Sequence, residues 1–171
     1  MPDTPFRIAP ERPKDAAAIE KLHDFAFGPG RYVRTAWRMR EGVPAVSALS
    51  YVAWAGDRLI GSVRYAPVML SGRGGLMLGP LVVDPDWKGR GAGVGLMRAS
   101  LDAARSRGHQ WVILVGDEPY YARAGFRRVA GGVKLPGPVD PARLLSLELE
   151  PGALDGLAGT VLPLKETAAC R

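Results

Sequence analysis

Leu78-Gly-Pro-Leu-Val-Val-Asp-Pro-Asp-Trp-Lys-Gly-Arg-Gly-Ala-Gly-Val-Gly-Leu-Met-Arg98 is the stretch on which the reading of this chain turns. Leu81, Val82 and Val83 form an unbroken apolar run, the pattern of a strand buried on both faces. Asp84-Pro85-Asp86 ends that strand, because proline cannot donate to a ladder. Glycine then recurs at every second position, at Gly89, Gly91, Gly93 and Gly95, with Lys88 and Arg90 interleaved. A helical apolar period follows at Val94, Met97, Leu101 and Ala104. The unit is strand, glycine-rich loop, helix. A helix start carries unpaired backbone N–H groups and the positive end of the helix dipole. Glycines let a phosphate come close to such a backbone. The two cations add side-chain charge, and the loop reads as a pyrophosphate cradle.

Spacing decides which cradle it is. A Walker loop needs Gly-Lys-Ser/Thr, which does not occur here, and the Gly-x-Gly-x-x-Gly/Ala dinucleotide fingerprint fails from each glycine tried. Arg/Gln-x-x-Gly-x-Gly/Ala does fit, as Lys88-Gly89-Arg90-Gly91-Ala92-Gly93 with lysine in the first place. This resembles the acetyl-coenzyme A loop of the GNAT superfamily of N-acetyltransferases, and the flanking Val83-Asp84-Pro85 and Val94-Gly95 fit it too. The resemblance implies acetyl-coenzyme A as co-substrate and no metal. It places Leu81, Val82 and Val83 at the acetyl and pantetheine part, chiefly through the backbone groups of Leu81 and Val83. It places Lys88, Gly89, Arg90, Gly91, Ala92, Gly93, Val94 and Gly95 around the pyrophosphate. The plain alternative is a glycine-rich turn with no ligand, and alternating glycines between two cations argue against it.

A second constellation follows one crossover later. Tyr121-Ala-Arg-Ala-Gly-Phe126 is similar to the Tyr-x-x-x-Gly-Phe of the superfamily, in which the tyrosine hydroxyl protonates the departing thiolate. Tyr121 is thus the implied catalytic residue, with its neighbour Tyr120 facing elsewhere. A phenol with a pKa near ~10 suits a thiolate of similar basicity. Arg31 to Gly42, Gly116-Asp-Glu-Pro-Tyr-Tyr and Leu135-Pro-Gly-Pro look like a bacterial subgroup of small predicted N-acetyltransferases. Two positions depart from the family. Met77 stands where many relatives carry a glutamate base, and Gly116-Asp117 stands where many end the strand with asparagine. Glu41, Asp117 and Glu118 are the acids from elsewhere that could take the acceptor's proton.

The implied fold is α/β: a mixed, mostly antiparallel central sheet of about six or seven strands with helices on both faces. Two parallel central strands are expected to splay apart after Val83 and Val115. In chain order the expected elements are a strand at Phe6–Ala9 and a helix at Lys14–Phe27, closed by Gly28-Pro29-Gly30. A helix at Arg31–Glu41 follows, in which Arg31, Arg34 and Arg38 share one face. That face is read first as solvated, with a wall of the acceptor site as the functional alternative. A meander comes next: Ser50–Ala55, a Gly56-Asp57 turn, Leu59–Leu70 in which Pro67 suggests a bulge, an edge position or an early end, a turn at Ser71–Gly75, and Leu76–Val83. After the helix ending near Arg107 come a strand at Gln110–Val115, a short helix at Tyr120–Ala124 and a strand at Arg127–Val129. Ala130–Pro141 is read as a loop, Leu144–Leu149 as the last strand, and 151–171 as a tail beyond a core at about 5–150.

Length bounds this at one domain of 171 residues, and 47% apolar residues are enough for a core. The net charge of +6 suits an anionic small molecule better than nucleic acid, because no dense basic block with interleaved aromatics occurs. Cys170 is the single cysteine and reads as a bystander; His23 and His109 have no metal-ligand spacing. No signal or membrane-spanning run is visible, so the expected location is the cytoplasm, as monomer or homodimer. The expected reaction is acetyl transfer to a small-molecule or peptide amine by direct attack in a ternary complex, with the acceptor open. The competing reading is a catalytically idle coenzyme A-binding sensor of the same fold, which Met77 favours and Tyr121 disfavours.

Overall fold

The structure, a computed structural model, describes residues 5–165. Cys170 and the end of the expected tail lie outside the described residues. The chain opens with strand β1 (Arg7–Pro10), a 3₁₀ turn at Pro13–Asp15 and helix α1 (Ala16–Phe27), which Gly28 ends at φ +66°. The helix expected at Arg31–Glu41 is broken. Pro29–Val33 is a 3₁₀ turn, Arg34 is extended, and α2 covers Thr35–Arg38. The cause lies in Arg31, whose side chain turns inward to Asp24 Oδ1 (2.6 Å), the Gly28 carbonyl (2.8 Å) and the Tyr32 hydroxyl (2.7 Å). Arg31 is buried while Arg34 and Arg38 are exposed, so the three do not share a face.

The meander is as expected in order, with longer strands: β2 (Tyr51–Ala55), β3 (Arg58–Leu70) and β4 (Arg73–Val83). Pro67 neither ends β3 nor makes a bulge in it. It lies beyond Val63, where β2 stops pairing, and the chain after residue 161 takes that side, with Leu164 N donating to the Pro67 carbonyl (3.1 Å). Helix α3 (Ala92–Ser106) crosses over to β5 (Trp111–Val115), which runs parallel to β4. Then come α4 (Glu118–Tyr121), β6 (Arg127–Arg128), β7 (Val133–Lys134), β8 (Leu144–Glu148), β9 (Gly159–Thr160) and β10 (Leu162–Pro163). The main sheet has eight strands in the order β1-β2-β3-β4-β5-β8-β6, with β10 added on β3. Its pairs are antiparallel except β4 with β5.

Two expectations fail in the C-terminal part. The Gly- and Pro-rich loop contains β7, which pairs with β9. The stretch expected as a tail contains β9 and β10, and Val161 between them is fully buried with Val68, Leu70, Met77 and Trp111. Strands of two residues show no alternation that a sequence pattern could register.

The alternation of the strands sorts the core. Val52, Leu59 and Val82 pack with Ile19 and Leu22 of α1 on one face. Ala53, Ile60 and Val63 pack with Leu96, Met97 and Leu101 of α3 on the other. Helices therefore cover both faces of the sheet, as expected.

His23 is the buried oddity of α1. It is 1% exposed, edge-on to Trp37 (5.6 Å) and tilted against Phe27 (6.0 Å). Neither ring nitrogen has a hydrogen-bond partner among the described residues. Burial, then the charges of Arg64, Arg31 and Arg40, push its pKa down to about 4, with Asp24 acting the other way. The unfolded chain takes up this proton from about pH 6.5, before the folded protein does, so stability is lost as pH falls from about 6.5 toward 4. The full loss has a ceiling of about 3 kcal/mol. Urea denaturation of the wild type and His23→Leu at pH 7 and pH 5 measures it: the wild-type midpoint should drop, and the variant should lose this component of the drop.

Candidate active site

The site begins with a break in the sheet. β4 and β5 pair only at Leu76–Val112 and Met77–Ile113. The splay therefore starts within the strands, not after Val83 and Val115. Just beyond Met77, β4 carries a bulge: Leu78 faces Tyr65 and Leu81 faces Val63, so Gly79 and Pro80 together oppose Arg64. A bulge bends its strand and ends regular pairing, and Pro80 has no N–H to offer β5. The backbone parity past the bulge is set by Asp84 N, which donates to the Ile60 carbonyl (2.7 Å). Successive residues alternate, so the N–H and C=O groups of Leu81 and Val83 point away from β3, into the splay. On β5 the bond from Gly116 N to the Arg143 carbonyl (2.9 Å) directs Gly116 toward β8 and Val115 toward the splay. The result is a V-shaped opening edged by unpaired backbone.

A cavity of about 890 Å³ fills this opening. Leu81, Val83, Lys88, Gly89, Gly91, Ala92, Gly93, Val94 and Tyr121 line it, which brings together most of the site residues expected from sequence. Val82, Arg90 and Gly95 are not on its wall. Val82 sits on the opposite face of β4 against α1, as alternation requires. The Arg90 guanidinium lies 4.9 Å over the Trp87 ring. Gly95 is where α3 rests on Ile8 and Phe6. Gly91 caps α3 at φ +91° and follows Gly89 at φ +76°, conformations that favour glycine. Gly93 is needed for another reason: a Cβ there would collide with the Tyr120 hydroxyl. The loop and the first turn of α3 thus present backbone N–H groups and Lys88 to the same end of the cavity.

Tyr121 and Tyr120 both line the cavity, so the expectation that Tyr120 faces elsewhere fails. Their rings meet edge-on at 5.0 Å, which leaves one at the glycine loop and the other deeper. Tyr121 packs edge-on to Phe126 (6.0 Å) and lies over Gly116, where any side chain would displace it. Its burial raises its pKa to about 12, helped by Tyr120 and Asp117, while Arg40 and Arg143 pull it down. The phenol stays protonated across the working range.

The far wall comes from α2 and the 136–140 loop, joined by the Thr35 hydroxyl donating to the Pro138 carbonyl (2.8 Å). Val33, Arg34, Thr35, Ala36, Trp37 and Arg40 of this region line the cavity, which supports the acceptor-wall reading of the segment. Arg34, Arg40, Lys88, Arg123 and Arg143 outnumber the lining carboxylates Asp117 and Asp140. Of the acids considered as proton acceptors, Asp117 reaches the wall, paired with Arg143 (3.3 Å); Glu41 does not, and Glu118 is bound to Arg128 (2.9 Å). Met77 is fully buried among Val68, Ile113 and Trp111, off the cavity. Sequence reasoning missed Tyr120 as a wall residue and did not single out Trp37 and Arg40 within the segment it read as a possible acceptor wall. No spacing marks them, because the bulge of β4 and the fold of the 29–41 segment bring them in.

The sequence profile described as "Acetyltransferase (GNAT) family" matches residues 16–126. YjhQ, an uncharacterized N-acetyltransferase of Escherichia coli K12, is 31% identical over 128 residues, 72% of this chain and 71% of its own length. Among solved structures, the GNAT family N-acetyltransferase YhbS of Escherichia coli in complex with CoA is similar at TM-score 0.82 and 27% identity, covering 96% of this chain and 92% of its own. A GNAT family acetyltransferase from Brucella melitensis in complex with acetyl-CoA is similar at TM-score 0.70 and 30% identity, covering 93% and 96%.

The contrast between Gly91 and Gly93 gives a test of the loop. Gly93→Val should displace Tyr120, block the backbone cradle and weaken coenzyme A at least ~10-fold by calorimetry, since a lost charge-assisted contact is worth roughly 1.5–3 kcal/mol. Gly91→Val should do the same by straining the cap. Undiminished affinity in both variants would remove the loop from the site.

Proposed function

The chain belongs to the acetyltransferase (GNAT) family, and from that premise we propose that it moves an acetyl group from acetyl-coenzyme A directly to an amine in a ternary complex. The observation that carries this reading is the convergence, in one cavity, of unpaired β4 and β5 backbone, a cationic helix N-terminus and a half-buried tyrosine. The thioester supplies the activated acyl group, and the residues of this chain hold it and handle its protons.

The backbone N–H and C=O groups of Leu81, Val83 and Val115 pair with the amides of the pantetheine arm as an added strand. Lys88 and the backbone of Gly89 to Val94 hold the pyrophosphate. Val83 adjoins Gly93, its Cγ2 being 3.4 Å from where a Cβ would stand there, so Leu81 lies toward the acetyl end. The Leu81 N–H therefore polarises the thioester carbonyl as a one-donor oxyanion site. The acceptor nitrogen attacks that carbon, the carbon–sulfur bond breaks, and the Tyr121 hydroxyl donates its proton to the departing sulfur. Arg40 and Arg143, which act to lower the phenol's pKa, ease that donation. With Met77 buried off the cavity, the amine's proton leaves to water or to Asp117. Direct attack fits the residues at hand: Cys170, the one cysteine, sits far from both motifs in sequence, and among the described residues no Ser-His-Asp arrangement lines the cavity.

The idle-binder alternative keeps one favourable observation, the burial of Met77 where relatives carry a base. Thiol release from acetyl-coenzyme A across an amine library separates the two readings.

Two outcomes follow for kinetics. Tyr121→Phe should lower kcat by roughly 10- to 1,000-fold with coenzyme affinity nearly unchanged, the scale of losing one general acid. The rate should rise with pH as the acceptor amine deprotonates, with no enzyme group of pKa 6 to 7 in the profile, since His23 is pushed down to about 4 and neither it nor His109 lines the cavity. Ping-pong kinetics, or full activity in Tyr121→Phe, would overturn the mechanism.

A further inference from the structure

Arg40 is a cation without a counter-charge. Its Nε is buried with no hydrogen-bond partner, and among the described residues it takes part in no ion pair. Burial pushes its pKa down to about 10, with Tyr121 acting the other way, so it remains charged at neutral pH. The two other inward-facing arginines of this region show what a structural role looks like here. Arg31 is held by Asp24, Gly28 and Tyr32, and Arg64 grips Glu11 with two bonds, at 2.7 and 3.0 Å. Arg40 has only the face of Trp37, at 5.3 Å. Arg40 is half-buried, with Nε sealed off and the rest of the guanidinium at the cavity wall; a cation partly stripped of water with no carboxylate beside it is matched when an anion enters.

Its position says which anion. The guanidinium presses on Gly79, at the bulge of β4, where any side chain would collide with it. A Cβ at Gly79 would also stand 4.0 Å from Leu81 N. Arg40 and the amide assigned to the thioester carbonyl are thus separated by the width of one glycine. The phosphate cradle lies at the other end of the strand segment, since Gly79 and Val83 are four residues, or roughly 13 Å, apart. Arg40 is therefore too deep to serve the pyrophosphate, and it faces the acceptor end. The cavity's carboxylates do not reach it as partners: Asp117 is paired with Arg143, and Asp140 accepts from Ala142 N (2.9 Å).

We propose that Arg40 is the anion anchor of the acceptor pocket, and that the acceptor is a small amine carrying a carboxylate, with its amine and carboxylate only one or two carbons apart. The proposal rests on reading the cavity as an acetyl-transfer site. Guanidinium presents a planar fork that matches a carboxylate. The short span from Arg40 to Leu81 N sets the short spacing between anion and nucleophile. Trp37, Thr35 and Val33 shape the rest of the acceptor wall.

The test uses matched sets: phenylalanine, phenylalaninamide and phenethylamine; leucine, leucinamide and isoamylamine; β-alanine, β-alaninamide and ethylamine. Thiol release is measured with each, and each is titrated by calorimetry into the coenzyme A-loaded protein. The carboxylate member should lead its amide by roughly 10-fold or more in kcat/KM or in affinity. In Arg40→Gln that ratio should collapse toward one, mainly through KM, and Arg40→Lys should restore part of it. Arg40→Met should melt at or above the wild-type temperature, because it removes a half-buried charge that has no carboxylate partner. Carboxylate binding that depends on Arg40 without any turnover keeps Arg40 as the anion anchor and sinks the acetyl-transfer reading, and with it the carboxylate's part as acceptor. Turnover of amides and plain amines as fast as carboxylates sinks this inference and keeps that reading. Absence of carboxylate preference in both assays, or an Arg40→Met protein that melts several degrees lower, overturns it.

Discussion

The ladder between β4 and β5 breaks after two residue pairs, and the rest of the site depends on that break. A parallel pair in the middle of a sheet normally satisfies all its backbone groups. Here Gly79 and Pro80 occupy the space opposite one residue of β3, and the strand past them is carried away from β5. The N–H and C=O groups of Leu81, Val83 and Val115 are left facing a cleft with solvent or a ligand as their partners. Because β4 stays paired to β3 and β5 to β8, the two sides of the cleft remain rigid. A rigid opening edged by backbone recognises an extended, amide-bearing arm with little ordering cost, which is what preorganisation means for binding.

The same break organises the charge. Gly79 has no side chain, so a guanidinium can lie on β4 where the sheet would otherwise be closed. The neighbouring arginines are neutralised by carboxylates on α1 and before it, Asp24 for Arg31 and Glu11 for Arg64. His23, lying among these cations, remains neutral for that reason as well as for its burial. The inner end of the cavity therefore carries net positive character from Arg40, and the outer end from Lys88 and the start of α3. Two separate cationic sites at either end of one cleft suit a substrate pair with an anionic coenzyme at one end and an anionic acceptor at the other. Tyr121 lies at the inner end, close enough to Arg40 for the cation to favour loss of the phenol's proton.

Much was legible in the sequence. The strand, alternating glycines and helix from Leu78 to Arg98 are local in the chain, and local features such as φ preference, helix capping and apolar period are properties of neighbouring residues. The same holds for Tyr121 to Phe126 and for the β2 to β4 meander. The helix expected over Arg31–Glu41 was not legible as it stands, since its apolar period is real but Arg31 is drawn to Asp24 seven residues earlier. The strands β7, β9 and β10 were missed because two residues carry no alternation.

The sequence by itself determined the order of the elements from β1 to β6, the glycine-rich turn between β4 and α3, and the tyrosine placed one crossover away from it. Only the tertiary structure decided where the sheet opens, that Met77 is turned into the core, that Tyr120 shares the cavity, and that Arg40 reaches it without a partner. The reason is physical. Backbone conformation and capping are set by residues adjacent in the chain, whereas a strand's pairing limit, the face a side chain presents and the counter-charge it meets are set by distant segments that come together only on folding.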